Sequence, residues 1–156
     1  MKAVGVREVK KELQSRSQDE LIEVCLQLAK FKKENKELLT YLLYDSNHEP
    51  SYIESIKDEI DLSFQEMNVS SYFYMKKSIR KILRNTKKYI RYSKKKETEV
   101  ELLLYFCEKM AEMTPSIRNS TVLLNLFDRT KATVRKSIEK LHEDLQFDFV
   151  RELDEL

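Results

Sequence analysis

The chain has 156 residues, a net charge of +2, and side chains that are 36% charged and 41% apolar. That length suits a single domain over 1–156 that buries about two-thirds of its unfolded surface, and the apolar share excludes a disordered chain. Glycine occurs once (Gly5) and proline twice (Pro50, Pro115). Tight β-turns and phosphate-cradling loops, which need glycine at positive φ, are therefore disfavoured, and helices joined by short polar loops are expected.

In chain order, Val6, Val9 and Leu13 predict a short first helix. Ser17-Gln-Asp-Glu20 has capping-box spacing, and Leu21, Val24, Cys25, Leu28 and Phe31 follow it at helical intervals. KKEN (32–35) reads as a corner before Leu38, Leu39, Leu42 and Leu43. DSNHEPS (45–51) is the clearest break, and Pro50 suits the first turn of a helix carrying Tyr52, Ile53, Ile56, Ile60 and Phe64. Ser70 or Ser71 can cap a fifth helix. A turn is expected near SKKKET (93–98). Val100, Leu103, Leu104, Cys107 and Met110, widened by Leu102, Tyr105 and Phe106, predict a mostly buried sixth helix. TPS (114–116) stops it. A helical pattern then runs from about Ser120 to the C-terminus, with a break expected near Asp128–Thr130. The fold class predicted is all-α, with six to eight packed antiparallel helices in a bundle or a short superhelix.

The segment SRSQDELIEVCLQLAKFKKENKELLTYLLYD (15–45) resembles the opening helix pair of some α-helical repeat-like families of unassigned function. In those, a Ser/Thr-capped helix of the form DELIELxLxLA is followed by a polar corner and an ELxxYLL helix. The resemblance covers about a fifth of the chain and rests on core and capping residues. It implies stacked antiparallel helices and no activity.

No stretch approaches eighteen consecutive apolar residues, and the N-terminus lacks a long apolar segment followed by a small-residue cleavage site. A cytoplasmic protein with no membrane partner is expected. Cys25 and Cys107 fall inside apolar patterns and read as buried, unpaired and inert thiols.

The catalytic inventory is thin. Only His48 and His142 are present, so a multi-histidine zinc site within one chain is excluded. Glu139-Lys-Leu-His142 has the Glu-x-x-His spacing of di-iron bundles, which need a second such motif, and Asp45-Ser-Asn-His48 in a turn is a poor stand-in. No metal or cofactor is expected. An accessible Cys–His pair, a nucleophile elbow and a phosphate loop are all missing. An enzyme built from Glu, Lys and Tyr alone stays open as an alternative.

The distinctive stretch is KKSIRKILRNTKKYIRYSKKK (76–96), with eleven Lys or Arg and no Asp or Glu. It leaves the rest of the chain at −9, with the acids gathered in 49–66 and 139–155. On a helix advancing about 100° per residue, Lys76, Lys77, Arg80, Lys81, Arg84, Lys87, Lys88, Arg91, Lys94 and Lys95 fall within an arc of roughly 140°. Met75, Ile79, Ile82, Leu83, Thr86, Tyr89, Ile90 and Ser93 fall opposite, and Tyr74 and Tyr92 border the basic arc. Four readings compete. The strip is a solvated face partly paired with its own acidic helices, within the chain or across a homodimer. It docks nucleic-acid phosphates, with the tyrosines stacking on bases. It binds an acidic protein. Last comes a membrane surface, for which the opposite apolar face is not free. The sequence favours a non-enzymatic binding or scaffold module that docks an anionic partner on the helix near 72–95.

Overall fold

The computed structural model describes all 156 residues, 81% of them helical and none in a strand. The chain is all-α, with eight α-helices. It divides into two compact units, residues 1–44 and 45–156.

The first unit holds α1 (Val6–Gln14), α2 (Gln18–Phe31) and α3 (Lys33–Thr40), and leads into a π-helical turn over Tyr41–Asp45. Ser17 opens α2, its hydroxyl accepting from the Glu20 amide at 3.2 Å. The corner after α2 is a single extended residue, Lys32 (φ −141°, ψ 146°). α2 packs on α3, where the Asn35 side chain donates to the Leu28 carbonyl at 2.8 Å. Helices α1, α2 and α3 bury no residue, and only Tyr41 of this unit is enclosed. The stripe expected to be interior is therefore open: Val24, Leu28 and Phe31 are 38%, 56% and 77% exposed. Cys25 is exposed too, which corrects the expectation of a buried thiol there. Three short helices offer too little area to close a core of their own.

The second unit contains α4 (Glu49–Gln65), α5 (Tyr72–Ser93), α6 (Lys96–Glu112), a 3-10 turn (Ile117–Asn119), α7 (Thr121–Ile138) and α8 (Glu143–Glu155). Pro50 lies in the first turn of α4, where its missing N–H is not needed. Ser71 and Ser120 cap α5 and α7 through their hydroxyls, and His142 caps α8 through Nδ1. α6 is the centre. It packs against α4, α5 and α7, and buries Thr98, Val100, Leu102, Leu103, Leu104, Phe106, Cys107 and Met110. Neighbours on several sides explain its wide apolar arc. Cys107 is fully enclosed, and burial pushes its thiol up to about 12, beyond useful nucleophilicity. The C-terminal break falls at 139–142, not near Asp128–Thr130. The Thr130 hydroxyl bonds back to the Leu126 carbonyl at 2.8 Å, so the helix continues through that point, and it stops where Leu141 is buried and His142 starts α8.

Polar ties at the rim fix the packing. Tyr52 donates to the Tyr89 carbonyl (3.0 Å), Lys57 bridges to Glu101 (2.7 Å), and Asp61 receives the Tyr105 hydroxyl and the Lys109 ammonium (3.0 Å). Partial burial disfavours the Asp61 charge, yet Tyr105 and Lys109 outweigh it and hold the carboxyl below its ordinary range. Glu108 is the opposite case. Burial, with Glu152 and Glu112 nearby, raises its carboxyl. A raised acid favours the fold at low pH and loses that contribution as pH rises through its folded value. Glu108→Gln should therefore raise the melting temperature at pH 7 and change it little near pH 4. A lower melting temperature at pH 7 would contradict this environment.

Candidate functional site

Met75, Ile79, Ile82, Leu83, Thr86 and Ile90 are all buried, and they fix the rotation of α5 about its axis. The cations must then face outward. Lys77, Arg80, Lys81, Arg84, Lys87, Arg91, Lys94 and Lys95 are exposed, and Lys76 and Lys88 are half-buried. Lys88 lies 4.6 Å from the centre of the Tyr89 ring. At its C-terminal end the strip meets the start of α4: Lys95 bonds Glu49 at 3.0 Å and, just before the helix, the Ser46 carbonyl at 3.3 Å. Lys76, Lys77, Arg80, Lys81, Arg84, Lys87, Arg91 and Lys94 make no ion pair. Of the other acids of α4, Asp61 pairs with Lys109 and Glu59 accepts from the Tyr89 hydroxyl (2.7 Å).

The two border tyrosines have different fates. Tyr74 is 48% exposed, but Tyr92 is 8% exposed and sets its ring edge-on to Tyr89, with centroids 6.0 Å apart. Tyr92 is thereby removed from the stacking role expected of it. The last turn of α5 lies close to α4, and a border position there is covered. An exposed aromatic that sequence reasoning passed over lies at the other end of α5. Phe73 is 68% exposed and packs edge-on against Tyr74, with centroids 5.4 Å apart. The wheel reached back only to Tyr74 and left it out. Extended one residue further, it puts Phe73 at about 60°, in the middle of the basic arc. Phe73, Ser78, Lys76, Lys77, Arg80, Lys81 and Arg84 line a shallow depression of about 650 Å³, and no carboxylate enters it.

A second hollow, about 660 Å³, opens beside the first turns of α4 and α6 and the α7–α8 corner. It gathers Glu49, Glu54, Lys95, Lys96, Lys140 and His142, the residue types an enzyme could use. Its most enclosed carboxylate is already engaged. Glu49 accepts from the Ser93 hydroxyl, the Thr98 hydroxyl (2.6 Å) and Lys95, so it braces the α5–α6 corner. His142 caps α8 and faces Asp144 at 3.3 Å. Nowhere do three His, Cys, Asp or Glu side chains gather to hold a metal ion, and no helix is long and apolar enough to cross a membrane.

The chain matches no protein-family model, no curated protein and no solved structure. A functional reading must come from the site itself.

Proposed function

We propose that the outer face of α5 is a docking strip for single-stranded nucleic acid, bound through phosphates with little sequence preference. The observation that carries this reading is the combination of eight cations without ion pairs and an exposed Phe73–Tyr74 pair at one end. From Lys76 to Arg91 the strip runs about 22 Å at 1.5 Å per residue. Its lysines act as point charges on phosphate, which suits a backbone contact rather than base readout. Exposed aromatic rings offer bases a stacking platform that an acidic protein surface would not need.

The test is fluorescence anisotropy of labelled single-stranded oligonucleotides across a salt series, with poly-glutamate as competitor. Each phosphate contact on a single strand adds about 0.7 to the slope of log affinity against log salt, so four to six contacts give a slope of about 3–4. Replacing Phe73 and Tyr74 with Ala should cost about 1–3 kcal/mol per lost base stack and leave the salt slope unchanged. Equal affinity for poly-glutamate, unaffected by that double change, would turn the reading towards an acidic protein. Absence of salt-dependent binding even at low salt would remove the docking reading altogether.

A further inference from the structure

Residues 1–44 leave an apolar surface with no cover. Besides Met1, twelve large apolar side chains between Val4 and Tyr44 are 37–87% exposed. The part of this surface on one face, Val9, Leu13, Val24, Leu28 and Phe31, presents a few hundred Å², the size at which an exposed apolar patch often marks an interaction site. Val9 and Leu13 of α1 share a groove with Val24 of α2, and Leu28 and Phe31 continue the apolar line down α2. A nine-residue helix such as α1 is not stable in water by itself, so the unit needs that surface covered.

The charges of α2 say by what. Its first turns carry Asp19, Glu20 and Glu23, and its last turn and exit carry Lys30, Lys32 and Lys33. Two copies side by side in antiparallel order set acid against base at both ends and oppose the two helix dipoles, whereas parallel order sets like against like. We infer that the chain forms a two-fold homodimer through antiparallel packing of α2 on α2 of a second copy, flanked by α1. The contact is isologous and closed. Setting Asp19, Glu20 and Glu23 against Lys30, Lys32 and Lys33 puts the two-fold axis near the middle of α2, within about two residues of Cys25, so the two Cys25 thiols fall within reach of a short cross-linker. This inference does not depend on the reading of α5.

The full-length chain is tested by sedimentation equilibrium from low to tens of micromolar and by a short bismaleimide, which links two thiols by addition. Cys25 is the exposed thiol and Cys107 is enclosed, so a cross-linked dimer reports on residue 25 alone. The expected result is twice the chain mass, cross-linking that Cys25→Ser abolishes without changing the mass, and a monomer for Leu28→Glu with Phe31→Glu. Slow labelling of Cys107 in that double variant shows that the second unit stays folded. A monomer for the wild-type chain at tens of micromolar overturns the inference. So does a dimer that fails to cross-link at Cys25, or one that persists in the Leu28/Phe31 variant.

Discussion

Changing Arg80, Arg84, Lys87 and Arg91 together to Gln is expected to weaken oligonucleotide binding about a hundredfold at physiological salt. The estimate follows from removing four phosphate contacts, each worth about 0.7 in the salt slope, which should itself flatten by about 3. Melting temperature should hold. All four side chains are exposed, make no ion pair, and point away from Ile79, Ile82, Leu83 and Ile90. If the strip only balanced the acidic helices, the same variant would lose stability and no binding would change. Measuring both quantities on one preparation separates the two readings.

Phe106→Ala should cost the fold about 3–5 kcal/mol, a large part of the roughly 5–15 kcal/mol that a domain possesses. Phe106 is 0% exposed at the centre of α6 and meets the Phe64 ring at 5.9 Å between centroids. α6 packs against α4, α5 and α7, so a cavity there loosens several interfaces together. Urea denaturation followed by far-ultraviolet circular dichroism measures the shift. A loss under about 1 kcal/mol would mean that α6 is not the centre of the second unit.

Much of this architecture was legible in the residues. Helical periodicity, Ser17, Ser71, Pro50 and the scarcity of glycine predicted the all-α class and most helix starts. The wheel assigned α5 its wet and dry faces because one face carried nearly all the charge. Burial in the first unit was not legible, since periodicity marks which side of a helix is apolar and not whether anything covers it. Cys25 shows this: its spacing matches that of a core residue, yet it is exposed. Tyr92 and Phe73 failed for a related reason. Positions at the border of an arc are decided by the neighbouring helix, and a wheel contains no neighbour. The break expected near Asp128–Thr130 is absent because Thr130 satisfies its hydroxyl within the helix, which no intrinsic propensity records.

At the end of α5, Lys94 takes a left-handed conformation (φ 60°, ψ 6°), strained by about 1–2 kcal/mol for a residue with a side chain. The residues on either side of it, Ser93 and Lys95, are both bonded to Glu49, more than forty positions earlier in the chain. The strained turn is thus held by a remote carboxylate as well as by its local bonds, from the Lys94 amide to the Ile90 carbonyl and from the Lys95 amide to the Ser93 hydroxyl. Such a turn is expected to open separately, as a small cooperative event, well below the free energy of global unfolding. Amide exchange at Lys94 and Lys95 reports on that opening, and it reads the grip of Glu49 while the rest of the molecule stays closed.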